Sequence, residues 1–186
     1  MKGKLTLYLG PMFSGKTTEL INIANHNPDA EIIKPSYDNR YGENQIKNHN
    51  GQIIPAISAK NRCDFNTCFD KKLALIDEIQ FFEEPIFESD IIDIIDCLLI
   101  GGTNVICFGL DYDYKRKEFE IPKILKEKAT LLVQKEGICK GCGSPSKYTA
   151  LTNIPDNKSS FVVGLDDYED LCKDCHDLYL ELYDLK

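Results

Sequence analysis

The sequence predicts an α/β protein, with a parallel sheet flanked by helices and a small cysteine-rich unit after it. Two observations predict the sheet: apolar, strand-like runs alternate with helical patterns, and two of these runs end in acidic residues. Such alternation is typical of a parallel sheet that is covered on both faces. From Cys139 onward the pattern changes to paired cysteines and turn residues. We therefore expect one domain over residues 1–137 and a second over residues 138–186 that ends in a helix.

The individual elements follow from local patterns. Residues 4–9 have the length and residue types of a strand. Residues 17–26 have apolar positions that suit one face of a helix. Pro85 predicts the start of a helix over residues 85–102, and Gly101 and Gly102 predict its end. The other predicted elements are strands at 30–34, 52–57, 71–78, 103–111 and 130–136, a short helix at 121–129, and a short hairpin formed by 148–152 and 159–164.

A polar segment with several Asn, Gly and Asp residues separates two of the predicted strands, at residues 35–51. This composition predicts a long loop. Long loops in compact domains are often functional.

The composition excludes several classes of protein. The 186 residues suffice for one ordinary domain with a small appendage, and 22 Lys plus Arg stand against 30 Asp plus Glu, for a formal net charge of -8. This acidity argues against nucleic acid as a ligand. The N-terminus passes directly into a strand pattern, and no apolar run reaches about 18 residues. We expect a cytoplasmic protein that does not bind membranes.

The segment GPMFSGKT between the first strand and the first helix fits the pattern G-x-x-x-x-G-K-[ST] at every specified position. Glycines in this pattern let backbone N–H groups form a nest for phosphate, Lys16 reaches the terminal phosphates, and the Thr17 hydroxyl binds Mg²⁺. The alternative is a glycine turn followed by a surface lysine. The pattern predicts a P-loop NTPase-like domain whose ATP-binding residues include Gly10, Pro11, Met12, Phe13, Ser14, Gly15, Lys16 and Thr17.

Two adjacent acids follow the apolar run at residues 73–76. Asp77 can position Mg²⁺ directly or through water, as the second carboxylate of a P-loop site. Because successive side chains of a strand point to opposite sides, we expect Glu78 to face a substrate in front of the phosphates, which makes it a candidate general base. The alternative is that one of these acids is a solvent-exposed strand end.

Four of the eight cysteines form CxxC-x29-CxxC, namely Cys139, Cys142, Cys172 and Cys175. Two such pairs can place four thiolates around Zn²⁺, and this ligand set leaves no open position, so the metal would be structural. A redox CxxC is the competing interpretation. His176 could replace one cysteine as a ligand, although we expect a surface imidazole. The metal would tether the 29 intervening residues as a lid over a small acceptor.

The order of GPMFSGKTTEL, KPSYDNRY, LIDEIQFF, GLDYDYKRKEF and the cysteine pairs closely resembles the type II thymidine kinases, from residue 4 to about residue 176. The resemblance implies a P-loop domain with a zinc-bearing lasso domain. It implies transfer of the ATP γ-phosphoryl group to the 5'-hydroxyl of thymidine, and also of deoxyuridine, to give dTMP in pyrimidine deoxynucleotide salvage. It further implies a homotetramer and feedback inhibition by dTTP.

The resemblance also implies roles for individual residues. Glu78 matches the catalytic base and Asp77 the acid that organises the metal. Tyr114 stands where the family usually has a stacking phenylalanine. The other implied cofactor-binding residues are Asp38, Asn39, Arg40 and Gln80, and the implied substrate-binding residues are Met12, Leu110, Tyr114, Phe119, Ser160, Phe161, Val162, Val163, Gly164 and Tyr168.

The chain departs from the family in the lasso. Leu151 replaces a common arginine, and the link GLDDY is about one residue shorter than usual. Both departures bear on how the lasso closes. The basic run of residues 115–117 is expected to be a solvated loop.

Two rival functions remain at this point. One is a P-loop ATPase whose zinc ribbon binds nucleic acid or a protein partner. The other is a kinase for a different nucleoside.

Overall fold

The computed structural model describes residues 2–38, 42–154 and 167–185. Its strands, in chain order, are β1 Leu5–Leu9, β2 Glu31–Pro35, β3 Gln45–Lys47, β4 Ile53–Pro55, β5 Ile57–Ala59, β6 Leu73–Ile76, β7 Asn104–Gly109, β8 Leu131–Gln134, β9 Gly137–Ile138, β10 Pro145–Ser146, β11 Tyr148–Leu151 and β12 Tyr168–Leu171. Its α-helices are α1 Lys16–His26, α2 Ile91–Gly101, α3 Glu120–Lys128 and α4 Lys173–Leu182. Two 3-10 helices cover Arg62–Asp70 and Ile79–Phe81.

Six strands form one parallel sheet in the order β5-β2-β6-β7-β1-β8. The alternation of apolar runs and helical patterns predicted this architecture, and the prediction of an α/β fold is confirmed. All six strands run in one direction, so their carboxyl ends meet at a single edge of the sheet. Among the described residues, no helix is long and apolar enough to cross a membrane.

The two faces of the sheet belong to different hydrophobic clusters. In β7, Val105 and Cys107 pack with residues of α2 and α3, whereas Phe108 packs with residues of α1. Side chains of a strand alternate between faces, so a continuous apolar run buries both. This explains why residues 105–108 of β7 are all apolar.

Helix α2 begins later than the sequence predicted. The Asp90 carboxylate accepts hydrogen bonds from the backbone N–H groups of Ile92 (2.8 Å) and Asp93 (3.2 Å) and caps the helix, so Pro85 does not start it. An N-cap aspartate satisfies N–H groups that have no partner within the helix. The predicted end is confirmed, because Gly102 takes the left-handed conformation, with φ 96°.

A small hairpin begins in the segment that was predicted to be a loop, residues 35–51, and ends in the strand predicted at 52–57. Strand β3 pairs antiparallel with β4, with Ile46 opposite Ile54. The single strand predicted at 52–57 is therefore two strands, because β4 pairs with β3 and β5 joins the large sheet. Ile46 and Ala56 pack in the same cluster as residues of α1, so apolar contacts attach this hairpin to the helix.

The cysteine-bearing part contains two short antiparallel pairs, β9 with β10 and β11 with β12, followed by α4. The strand predicted at 148–152 is present as β11, but its partner here is β12; the predicted partner, 159–164, lies outside the described residues. Tyr114, from the loop after β7, packs in one cluster with Leu151 and Tyr179. The two-domain division at residue 138 stays a prediction.

We predict that Leu98→Ala destabilises the protein by about 2–5 kcal/mol. Leu98 is completely buried where α2 packs on the sheet, so the shorter side chain leaves a cavity. Chemical denaturation followed by circular dichroism measures the change in unfolding free energy. Ile100→Ala is the matched control, because Ile100 lies on the same helix with 73% of its side chain exposed. Equal losses in the two variants would contradict this packing.

Candidate active site

The P-loop, residues 10–17, connects β1 to α1 at the edge where the parallel strands end. Asp77 follows β6 directly and Asp111 closely follows β7 at that same edge. A Cβ atom on Gly10 would lie 2.4 Å from the Lys135 carbonyl oxygen, and Gly15 has φ 80°, so both glycines are required by the backbone. The predicted strand, loop and helix are all present.

Lys16 is the central charge of this site. Its side chain is only 6% exposed, and its Nζ donates to the backbone oxygens of Gly10 (3.0 Å) and Pro11 (2.6 Å). Its ammonium group therefore folds back across the loop to where phosphates bind in such a nest. The alternative of a surface lysine is wrong.

Four carboxylates surround this ammonium group. Burial lowers the pKa of Lys16, and the nearby negative charges oppose that shift; they belong to Glu78, Asp77, Asp170 and Asp111. Three of these acids follow strands of the sheet, and Asp170 belongs to β12. The site therefore combines a phosphate-binding loop with acids that suit a divalent cation or a proton acceptor.

Glu78 has an unusual backbone for its residue type. Its φ of 49° and ψ of 47° lie in the left-handed region, which costs about 1–2 kcal/mol outside glycine. Its Oε2 accepts a hydrogen bond of 2.6 Å from Gln80 Nε2, and Gln80 Oε1 accepts one of 2.9 Å from the Leu110 N–H. Strand β6 ends at Ile76, so the alternation used to orient Glu78 from sequence does not reach it. The turn and Gln80 orient this carboxylate.

Asp38 lies in the segment that follows β2, three residues after Pro35, and is buried. A residue that the sequence analysis missed, Lys34, holds this segment, since its Nζ donates to the backbone oxygens of Asp38 (2.6 Å) and Gly42 (2.7 Å). A lysine inside an apolar strand and just before a proline is the signal that could have identified it. Asn39 and Arg40 lie outside the described residues.

Two further residues that the sequence analysis missed belong to the cysteine-bearing part. Thr149 Oγ1 accepts a hydrogen bond of 3.1 Å from the Met12 N–H in the P-loop. Burial raises the pKa of Asp170, while the Phe13 N–H and the Lys16 charge oppose that shift. The cysteine-bearing part therefore contacts the phosphate loop. No local pattern predicts contacts between residues so far apart in sequence.

The other predicted substrate-binding residues that the structure describes are partly or fully buried. Leu110 follows β7 directly, Phe119 precedes α3, and Tyr168 begins β12. Tyr114 is 2% exposed, and its buried hydroxyl has no hydrogen-bond partner among the described residues. The five remaining ones lie outside the described residues: Ser160, Phe161, Val162, Val163 and Gly164.

Leu151 has a structural role that accounts for one departure from the family pattern. Its side chain is buried in the cluster of the cysteine-bearing part. Its backbone N–H donates to Tyr179 Oη (3.1 Å), and Tyr179 Oη donates to its carbonyl oxygen (3.0 Å). An apolar side chain at this position therefore fills the core.

The two cysteine pairs converge into one cluster. The four Sγ atoms, of Cys139, Cys142, Cys172 and Cys175, lie within 4.8 Å of one another, and Cys142 and Cys172 are 3.6 Å apart. Tetrahedral Zn²⁺ with Zn–S bonds of about 2.3 Å would separate its sulfur atoms by about 3.8 Å. The cluster can hold zinc, and convergence into one site argues against two separate redox pairs.

The thiol of Cys139 is prepared for metal binding. Burial opposes its ionisation, but nearby backbone N–H groups, among them those of Cys172 and Cys142, lower its pKa to about 6. A metal ligand must be a thiolate, so this environment favours binding.

His176 differs from both sequence-based interpretations. Its side chain is completely buried, so the expected surface imidazole is wrong, and it is not part of the four-cysteine cluster. Its Nε2 lies 3.2 Å from the Thr149 carbonyl oxygen, and its Nδ1 lies 3.1 Å from Arg116 Nη2. Arginine has no acceptor atom, so Nδ1 accepts and Nε2 carries the proton. The solvated loop expected at residues 115–117 is also wrong for Arg116.

Comparisons with known proteins agree with this site. A sequence profile described as "Thymidine kinase" matches residues 3–176. A thymidine kinase from Pseudothermotoga lettingae is 32% identical over 182 residues, which cover 95% of this chain and 96% of that relative.

Pif1 helicase chains are among the solved structures that align with this one. A chain from a structure on DNA unwinding at forked dsDNA has a TM-score of 0.35, with 15% identity, 72% of this chain covered and 39% of its own length. Bacteroides Pif1 bound to ssDNA has a TM-score of 0.34, with 17% identity and coverage of 68% and 33%. Likeness at this level carries no argument about function.

We predict that removal of zinc loosens the cysteine-bearing part before the parallel sheet unfolds. Structural zinc contributes directly to folding free energy, and the cluster joins β9–β10 to the start of α4. Hydrogen exchange after chelation should rise in β11 and β12 well before it rises in β6 and β7. Cys142→Ser should reproduce this loss, and Cys63→Ser, an exposed cysteine outside the cluster, should not. A single cooperative transition of the whole chain would contradict the prediction.

Proposed function

Because this chain belongs to the thymidine kinase family, we propose that it transfers the γ-phosphoryl group of ATP to the 5'-hydroxyl of thymidine at the carboxyl edge of the sheet. The observation that supports this site is Lys16, buried in its P-loop with Asp77 and Glu78 among the charges around it. Phosphoryl transfer needs little more than alignment, charge neutralisation and acceptance of the hydroxyl proton. The residues around Lys16 have the chemistry for each of these tasks.

The P-loop backbone and Lys16 would hold the phosphates of ATP. Among the described residues no side chain caps α1 at Gly15, so the helix N-terminus can donate its first N–H groups to an anion. Thr17 and Asp77 have the oxygen ligands that Mg²⁺ prefers, and the ion would neutralise charge between the phosphates when bound. Asp38, Asn39, Arg40 and Gln80 complete the proposed nucleotide side.

Glu78 would accept the proton of the 5'-hydroxyl as the new phosphorus–oxygen bond forms. The hydrogen bond from Gln80 directs its Oε2, and Gln80 is itself completely buried. A base that is held in this way needs little reorganisation during the reaction.

The nucleoside would lie against apolar and aromatic side chains on both sides of the site. Leu110, Tyr114 and Phe119 belong to the loop after β7, and Met12 and Tyr168 to the P-loop and β12. A flat, neutral base suits such a surface. Residues 160–164 would contribute backbone hydrogen bonds to the base.

The finer properties of the family are proposals for this chain. Deoxyuridine would be a second substrate, dTTP a feedback inhibitor and the homotetramer the assembled form, in a cytoplasmic enzyme of deoxynucleotide salvage. Zinc in the cysteine cluster would be structural, because four thiolates leave no open position. No observation in the described residues favours the ATPase that binds nucleic acid.

We predict that the purified protein, given ATP and Mg²⁺, phosphorylates thymidine and deoxyuridine and leaves purine nucleosides unchanged. Separation of products from a nucleoside panel measures this directly. ATP hydrolysis that depends on DNA or RNA, with no nucleoside phosphorylated, would overturn the proposal. A purine nucleoside as the best substrate would keep the mechanism and change the substrate.

We predict that Glu78→Gln lowers kcat for thymidine by about 10²–10⁴-fold and leaves the Kd for ATP unchanged. The amide can still accept the hydrogen bond from Gln80, so the geometry is kept while the base is lost. Rapid-quench kinetics and equilibrium ATP binding separate the two effects. Glu88→Gln is the control, because Glu88 is exposed beyond the site. An undiminished rate would remove Glu78 as the base.

A further inference from the structure

The loop between β7 and α3, residues 110–119, is attached to the candidate base at its inner end. The Leu110 N–H donates to Gln80 Oε1 (2.9 Å), and Gln80 Nε2 donates to Glu78 Oε2 (2.6 Å). A shift at the start of this loop would therefore also displace the Glu78 carboxylate.

A tight turn organises the outer part of the same loop. Asp113 Oδ1 accepts hydrogen bonds from the N–H groups of Lys115 (2.9 Å) and Lys117 (2.8 Å). Arg116 stands between them with φ 65°, a left-handed conformation that is uncommon outside glycine. Such a conformation persists where the surroundings hold it, so the contacts of the Arg116 side chain matter.

The Arg116 guanidinium contacts the cysteine-bearing part through its two Nη atoms, while its Nε is buried with no hydrogen-bond partner among the described residues. Nη1 donates to Asp177 Oδ1 (2.6 Å), and Nη2 donates to the Lys173 carbonyl oxygen (3.3 Å) and to His176 Nδ1 (3.1 Å). The guanidinium carbon also lies 4.2 Å from the centre of the Tyr148 ring. Arginine suits this combination because its planar group can stack and donate several directed hydrogen bonds at once.

The three hydrogen-bond partners of Arg116 lie at the start of α4, where two of the four cysteines of the cluster also lie. Cys172 is the N-cap of α4, and Cys175 lies between Lys173 and Asp177. The metal ligands and Arg116 therefore fix the same turn from two directions. Displacement of this turn on metal loss would move the partners of Arg116.

We propose that Arg116 is a positioning residue that makes thymidine binding depend on zinc, by tying the first turn of α4 to the loop at residues 110–119. This inference rests on the proposed function, because it takes that loop as part of the nucleoside site. Zinc does not touch the substrate in this arrangement. One part of its effect passes through α4, Arg116 and the loop that reaches Gln80 and Glu78.

The test compares four samples, namely the full chain and Arg116→Ala, each with zinc and after chelation. Metal content is measured in every sample. Equilibrium binding gives the Kd for thymidine and the Kd for ATP separately. We expect Arg116→Ala to retain zinc and to bind thymidine about 5–150-fold more weakly, the range of a typical coupling free energy. The ATP Kd should change much less. Chelation should weaken thymidine binding strongly in the full chain and by a clearly smaller factor in Arg116→Ala, where this link is already lost.

Three further variants separate positioning from folding. Arg116→Lys keeps the positive charge but loses the planar group that donates several hydrogen bonds. Its thymidine Kd should therefore lie between that of the full chain and that of Arg116→Ala. Arg62→Ala is the matched control, since Arg62 forms an exposed pair with Asp93 at 2.8 Å and should leave both affinities unchanged. If Arg116→Ala loses zinc or ATP binding, Arg116→Lys and Asp177→Asn take its place in the test. Each should weaken thymidine binding while it retains zinc and leaves the ATP Kd little changed.

Two outcomes overturn the coupling. One is unchanged thymidine affinity in the zinc-loaded Arg116 variants, and the other is losses from mutation and chelation that multiply as independent effects. Failure of the proposed function gives a different result, because the zinc-loaded full chain would then not bind thymidine at all.

Discussion

The burial of Lys16 is the constraint on which the site depends. An ammonium group loses its hydration when it is buried, and here two backbone oxygens and four nearby carboxylates compensate for that loss. This compensation requires a glycine-rich turn whose carbonyls face inward and strands whose carboxyl ends meet at one edge. The parallel sheet places the P-loop and three of the acids at this edge, and β12 supplies the fourth, Asp170.

A second constraint is that the cysteine-bearing part contacts the P-loop directly. The hydrogen bond between the Met12 N–H and Thr149 Oγ1 joins the phosphate loop to β11, and His176 in α4 donates to the carbonyl oxygen of the same threonine. The cysteine cluster holds the beginning of α4. The four-cysteine cluster, which can hold zinc, is therefore only a few contacts away from the P-loop.

Local strain is concentrated where the chemistry is proposed. Glu78 takes a left-handed backbone at the end of β6, and Gln80 receives and gives the hydrogen bonds that hold it there. The buried Tyr114 hydroxyl has no partner in the described residues, which is another cost tolerated near this site. Proteins keep such features when the surrounding structure determines them and function uses them.

The sequence alone determined what depends on neighbouring residues. The spacing of Gly10, Gly15 and Lys16 predicted the phosphate loop, apolar runs predicted the central strands, and paired cysteines predicted one metal cluster, because each signal lies within a short stretch. The family resemblance extended this to the substrate. The start of α2 was wrong because capping by Asp90 outweighed the proline signal. The interpretation of Arg116 as solvated was wrong because its partners lie some 60 residues later in the chain. Only the tertiary structure decided the orientation of Glu78, the burial of His176 and the contact of Thr149 with the P-loop, since these depend on packing between segments that no local pattern relates.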